Sequence, residues 1–308
     1  MSDTPPVSII MVTRDGVDHL DDQIHSIFDQ SRGNWDLHIF DGGSTDGTWE
    51  LVSRYALEHP DRVHVKQDPR VSGSAMAMCL AALGTMEPAE YFMFCLQGDV
   101  WTPDKLSKYQ VRMRGLETAR GGDEPLAIHS DVALLDTDLG VLDESYLESL
   151  GIDGTENGIG TLLVQNPVVS RTLMGNRTLW RMLVEHPMAD GDVPLLDLWV
   201  GQIAASCGML SFISDPTASM RTDNQAESAY LPRWENEAGV GLGLEEYIGQ
   251  AALLLELYGN LMDEQARRVV STFAGIRELG KFKRVSACLK NHILRTGRGR
   301  QIKQLLSI

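Results

Sequence analysis

No apolar run in this 308-residue chain approaches the ~20 residues a membrane-crossing helix needs, which excludes such a span. Met1 to Pro6 is polar, holds two prolines and lacks the basic-then-apolar order of a secretion signal. Cysteine is scarce: Cys79, Cys95, Cys207 and Cys288 are scattered, with no C-x-x-C pair. Neither they nor the histidines show metal-ligand spacing, so no zinc site is expected. Reduced, buried cysteines fit a cytoplasmic chain. Basic residues are also few, 27 Lys and Arg against 43 Asp and Glu. An acidic surface repels phosphate, which excludes nucleic acid as the main partner.

The cations that exist are concentrated. Residues 281–308 hold eight (Lys281, Lys283, Arg284, Lys290, Arg295, Arg298, Arg300, Lys303) and no acid. Taking that +8 from the total of −16 leaves −24 on the first 280 residues. With Phe282, Val285, Leu289, Ile293 and Leu294 as an apolar face, this tail is expected either to touch an anionic membrane surface or to pack on the acidic body.

Strand and helix alternate from the start. Val7–Val12, Leu37–Phe40, Val63–Val65 and Tyr91–Leu96 are short apolar runs of the kind buried in parallel sheets. Between them, Leu20, Ile24, Ile27 and Phe28, residues 47–58 and Ser74 to Leu83 have helical spacing or composition. Thr102-Pro103 opens another helix, striped by Leu106, Tyr109, Met113 and Leu116. The alternation predicts a doubly wound, mostly parallel sheet through about residue 118. Beyond it, strands are expected at Ala127–Leu135, Val168–Met174 and Met209–Ile213, and a helix at Leu195–Ala205. Polar residues 226–242 predict a linker, followed by helices to the carboxyl end. No repeat or low-complexity segment interrupts the chain.

Two acids stand at strand ends, Asp41 and Asp99. Open α/β sheets bind ligands beyond the carboxyl ends of their strands, where a carboxylate can accept from a base or ribose or hold a cation. Asp41-Gly-Gly-Ser-Thr-Asp-Gly-Thr48 also reads as a tight turn and helix cap. Glu245-Glu246 reads as an acid pair at a helix start.

Several segments in order resemble the inverting family 2 glycosyltransferases. They are Val7–Gly16, Gln23–Gln30 and Trp35–Thr48, then Phe92-Met-Phe-Cys-Leu-Gln-Gly-Asp-Val-Trp-Thr-Pro-Asp-Lys-Leu106, whose spelling is nearest the rhamnosyltransferase-like branch. Weaker matches follow at His129-Ser-Asp131, Asn166–Arg177, Leu196-Asp-Leu-Trp199 and Met220-Arg-Thr-Asp-Asn224. The resemblance covers about 7–225 and implies a GT-A-like α/β fold with a Rossmann-type sheet flanked by helices. It makes 1–225 a nucleotide-sugar-binding and catalytic domain, and 226–308 a linker and helical extension with the basic tail.

It also implies roles. Thr13, Asp41, Asp68, Arg70 and Asp99 border the nucleotide, and Asp197 is the catalytic base, its basicity raised by Leu195, Leu196, Leu198 and Trp199 around it. Asp131, Trp101, Trp199 and Arg221 fall on the sugar side, although tryptophans are as readily core. His129 is expected to be a hydrogen-bonded, half-buried histidine rather than a catalyst. The departures concern the metal. The family's Asp-Gln-Asp-Asp is Leu96-Gln97-Gly98-Asp99, its second Asp of Asp-Asp-Gly-Ser is Gly42, a metal-binding His is Asp223, the His before the base is Leu196 and a loop glycine is Ser170. Mg²⁺ or Mn²⁺ would therefore rest on Asp99 and Asp223, or Arg70 or Arg221 would meet the phosphates instead. Weak metal dependence is the expectation.

The implied activity is transfer of a sugar from a UDP- or dTDP-type donor to a hydroxyl of a saccharide or lipid-linked saccharide. This points to polysaccharide or glycolipid assembly in the cytoplasm or at the inner membrane face. A non-catalytic nucleotide-sugar-binding subunit is the rival the eroded metal motif suggests; a nucleotidyltransferase, releasing pyrophosphate, is a third.

Overall fold

The computed structural model describes residues 5–68, 73–136, 139–189, 191–193, 195–221, 244–297 and 301. Arg70, Asp223 and the linker expected at 226–242 lie outside the described residues.

The first half alternates as its pattern dictates: β1 (Val7–Thr13), α1 (Val17–Phe28), β2 (Trp35–Asp41), α2 (Thr48–Glu58), β3 (Val63–Gln67), α3 (Ala75–Leu83) and β4 (Tyr91–Leu96). These four strands are parallel, in the order β3-β2-β1-β4. The order reverses between β1 and β4, which opens a crevice at their carboxyl ends.

Period-2 alternation sorts the strand side chains into two cores. Ile10, Val12, Phe92, Phe94 and Leu96 face one helical layer; Val7, Ile9, Met11, Met93 and Cys95 face the other. All seven residues of β1 are buried. Each large aliphatic or aromatic side chain so placed contributes about 1.5–3 kcal/mol.

Then come β5 (Asp99–Trp101), α4 (Lys105–Arg120), β6 (Leu126–Leu135), β7 (Val141–Asp143), α5 (Tyr146–Ser149), α6 (Ile159–Leu162), β8 (Met174–Asn176), α7 (Arg177–Glu185), α8 (Leu196–Cys207) and β9 (Met209–Arg221). The full order is β3-β2-β1-β4-β8-β6-β9-β5, with β7 on β6. The fold is the GT-A-like α/β arrangement implied by the resemblance, but the sheet is mixed: β8 runs antiparallel to both β4 and β6, and β5 antiparallel to β9. The strand expected at Val168–Met174 is instead a loop and the 3-10 turn Ser170–Thr172, with only Met174–Asn176 in the sheet.

Helices α9 (Leu244–Tyr258), α10 (Glu264–Ala274) and α11 (Lys281–Lys290) follow. Tyr247, Ala251, Leu254, Tyr258, Val270, Phe273 and Cys288 join the apolar cluster that contains Phe92 and Phe94. Helices of the carboxyl-terminal region thus share a core with the sheet. Of the apolar residues expected to form one face of the tail, Ile293 is fully buried, whereas Phe282 is 93% exposed. No helix among the described residues is long and apolar enough to cross a membrane.

His129 on β6 is fully buried, 5.0 Å from the Phe212 ring, and desolvation lowers its pKa to about 3. The unfolded chain binds this proton near pH 6.5 and the folded chain does not, so stability must fall as pH drops through that range. Between pH 7.5 and 5, His129 is expected to remove about 2 kcal/mol. Denaturant unfolding of the wild type and His129→Leu at both pH values checks this: the variant should lose most of that difference, and equal differences would contradict it.

Candidate active site

The ends of β1, β2 and β3 are in register, so Thr13 lies opposite Asp41 and Asp41 opposite Gln67. Asp41 is 1% exposed and accepts from four donors. These are the Gly43 and Ser44 backbone N–H groups (3.1 and 3.0 Å), the Gln67 side-chain amide (2.8 Å) and the Ser44 hydroxyl. Gly43, at φ +88°, gives the turn the left-handed residue it needs. The carboxylate therefore orders the turn first; a base or ribose would have to share or displace one of these donors. Asp68 follows, buried, its N–H donating to the Asp41 carbonyl at 3.0 Å.

Gln97 bridges the crevice. Its side-chain oxygen accepts from the Thr13 hydroxyl (2.7 Å) and the Arg14 N–H (2.9 Å), and Gly16 leaves room for it, since a Cβ there would collide with the Gln97 amide.

Just beyond lies a charged group that sequence reasoning missed in two of its three members. Asp99 on β5 is fully buried and receives a hydrogen bond from Nη1 of Arg171, itself 4% exposed. Lys105 on α4 is fully buried as well; its ammonium donates to the Thr217 hydroxyl at 3.1 Å and sits 4.7 Å from the Trp101 ring centre and 5.2 Å from that of Tyr109. Burial lowers the Lys105 pKa to about 7, opposed by the negative charge of Asp99.

Asp197 sits in the first turn of α8, half-buried in the wall of a small cavity of about 60 Å³. It accepts from the Leu198 N–H (2.8 Å) and the Asn166 side-chain amide (3.1 Å). Desolvation raises its pKa, the direction its apolar flanks imply, and these hydrogen bonds pull partly the other way. Arg171, Tyr146, Asn166, Leu96 and Met220 line the same cavity. Burial raises the Tyr146 pKa; Arg171 lowers it, while Asp197 and Asp131 raise it, so three charges act on one phenol.

The other predicted residues fall elsewhere. Asp131 holds the loop carrying Tyr146: it accepts from the Val132 and Leu147 N–H groups (2.8 and 3.1 Å) and the Ser145 hydroxyl. Trp101 and Trp199 are core residues, 3% and 0% exposed, and offer no face to a sugar. That corrects their assignment as stacking surfaces. Arg221, 3% exposed, donates to Asp22 of α1 at 2.7 Å and is not a wall of the Asp197 cavity.

These residues do not fit a divalent cation. Asp99 is engaged by a guanidinium, and among the described residues no group of three or more His, Cys, Asp or Glu could hold a metal. Gly98, where the resemblance has Asp, adopts φ +88°, a conformation that strains any side chain.

Residues 8–119 match the model of glycosyl transferase family 2. A putative teichuronic acid biosynthesis glycosyltransferase, TuaG of Bacillus subtilis (strain 168), is 36% identical over 106 residues, 34% of this chain and 40% of that protein. A putative glycosyltransferase, EpsE of the same organism, is 38% identical over 68 residues, 22% of this chain and 24% of that protein. The matches thus span well under half of either relative. Among solved structures, S. aureus TarS 1–349 in complex with UDP-GlcNAc aligns over 93% of this chain and 79% of its own at 14% identity and TM-score 0.54. The mannosyltransferase PcManGT from Pyrobaculum calidifontis, in complex with GDP-Man and Mn²⁺, aligns over 99% and 84% at 15% identity and TM-score 0.54. At such identities these two likenesses show the fold alone.

Proposed function

We propose that this chain transfers a sugar from a nucleotide-sugar donor to a hydroxyl acceptor, with inversion, in polysaccharide or glycolipid assembly. The observation that carries the reading is the cavity at the sheet's carboxyl edge, where the basic carboxylate of Asp197 and the guanidinium of Arg171 face one space. Single displacement needs those two groups. Asp197 takes the acceptor's proton as its oxygen attacks the anomeric carbon; the carbon–oxygen bond to phosphate breaks, and its electron pair leaves on the nucleoside diphosphate, whose growing charge a cation stabilises. Asp197 is the only acid lining the cavity among the described residues, which suits inversion, since retention through a covalent intermediate would need a second, nucleophilic group.

The nucleotide belongs along the row Thr13, Asp41 and Asp68, beside the crevice bridged by Gln97. A UDP- or dTDP-type donor and a hexosyl or rhamnosyl sugar are the finer reading, drawn from the spelling of the 92–106 segment; the glycosyltransferase names of the two relatives support the class. The burial of Asp99 under Arg171 favours one rival, a subunit that binds nucleotide sugars without turning them over. A thermal-shift panel of nucleotide sugars tests the binding both readings share. A true donor at about a hundred times its dissociation constant should stabilise by ~2.7 kcal/mol, and a flat response across the panel would contradict both.

The basic tail gives this chain a surface for anionic lipid. On α11, Phe282 (93% exposed) and Leu289 (50% exposed) stand seven residues apart on one side, flanked by exposed Lys281, Lys283 and Lys290. Each cation near such a surface contributes about 1 kcal/mol. Phe282→Ser should leave stability unchanged and weaken co-sedimentation with phosphatidylserine vesicles severalfold at low salt. Binding indifferent to the change would assign the face another role.

A further inference from the structure

We propose that Arg171 takes the place of a divalent cation in this site: its guanidinium, held by Asp99, supplies the positive charge that the donor's diphosphate meets. The proposal rests on the nucleotide-sugar reading above.

Asp99 is what remains of the acidic motif, and its carboxylate is fully buried against Arg171. A cation entering there would have to displace a buried, hydrogen-bonded guanidinium and then find further oxygen ligands, since Mg²⁺ needs six in near-octahedral order. Asp99 is paired with the Arg171 guanidinium, and its charge also acts on the buried Lys105. Arg171 also lines the small cavity together with Asp197, and the charges of both act on Tyr146. A leaving diphosphate and an acceptor hydroxyl have to be served from two sides of one point.

The arginine is rigidly presented. It occupies the middle of the turn Ser170–Thr172. The Thr172 hydroxyl shares its one proton between the Ser130 and Val169 carbonyls (2.9 and 2.7 Å) and accepts from the Ser130 N–H at 2.9 Å. The Phe94 N–H donates to the Leu173 carbonyl at 3.0 Å. The turn is thereby pinned to β4 and β6 at once. A guanidinium fixed in this way can donate two parallel hydrogen bonds to phosphate, geometry that a lysine lacks.

The test is calorimetric titration of the full chain with UDP, GDP and dTDP, with Mn²⁺ and then with EDTA. The expected result is one nucleotide that binds equally in both buffers. In Arg171→Ala, its affinity should fall roughly 10- to 100-fold, and Mn²⁺ should now restore part of it, because Asp99 is released to hold a metal. A purely structural arginine would produce no such Mn²⁺ response. Arg171→Lys should lie between the two. Wild-type binding that requires Mn²⁺ and vanishes in EDTA would overturn this proposal and leave the nucleotide-sugar reading standing. Absence of binding by all three nucleotides in both buffers would overturn both. Circular dichroism establishes that each variant is folded; if Arg171→Ala is not, the wild-type EDTA comparison and Arg171→Lys decide.

Discussion

Asp197→Asn is expected to lower the rate of sugar transfer by about 10²–10⁴ while donor binding stays within a few-fold of wild type. The substitution keeps the volume of the side chain and its acceptance from the Leu198 N–H, so α8 should start where it does now. What it removes is a group that can take a proton. An acceptor hydroxyl attacks poorly until its proton is leaving, and no other carboxylate lines the cavity among the described residues. The apolar flanks that raise the Asp197 pKa also tie the rate to pH, because protonating the carboxylate silences it. The acidic limb of the wild-type pH–rate profile should therefore sit above the ordinary range of an aspartate and be absent from the residual activity of Asp197→Asn. Transfer at near wild-type rate in the variant would move the base elsewhere. Asp131 is a poor successor, since three donors already hold it. Asp223 would be the next to test.

The second large effect is on stability. Asp99→Ala should destabilise the fold by about 3–5 kcal/mol, the cost of leaving a buried charge without its partner. Arg171, 4% exposed, would then be a buried guanidinium without its carboxylate, and Lys105, 0% exposed, would lose the negative charge that opposes its desolvation. Lys105 can escape by losing its proton, its pKa being already about 7, but a guanidinium cannot. The double variant Asp99→Leu/Arg171→Met should be markedly more stable than Asp99→Ala, because well-packed apolar replacements of a buried pair are often neutral. Urea unfolding of the three proteins checks the cycle. A cost for Asp99→Ala below about 1 kcal/mol, the scale of a solvated ion pair, would mean that Asp99 is in water and free to bind metal.

How much of this was legible in the sequence depended on range. The first four strands and their helices could be read because each carries its own pattern: apolar runs in β1 and β4, and i, i+4, i+7 spacing at Leu20, Ile24 and Ile27. Asp41 could be read as a strand-end acid, but not as one already holding four donors, because Gln67 reaches it only through the β2–β3 register. The Asp99–Arg171 pair joins residues 72 positions apart, and no local pattern marks Arg171. The same long-range pairing decided Val168–Met174. Its apolar residues suggested a strand, yet the chain spends Val168–Thr172 on a loop and turn that buries Val168 and Val169 and aims Arg171. Trp101 and Trp199 sit in matched segments, and only tertiary packing shows that both rings are inside.

Turnover of a nucleotide sugar is what sets a transferase apart from a binding subunit. The most direct measurement is release of nucleoside diphosphate from purified protein, given a panel of UDP-, dTDP- and GDP-sugars with saccharide acceptors, in EDTA. One donor should yield its nucleoside diphosphate without pyrophosphate; EDTA should not stop the release, and Asp197→Asn should. Binding of a donor with no release from it would contradict catalysis and leave a carrier of nucleotide sugars; pyrophosphate as the product would make the chain a nucleotidyltransferase.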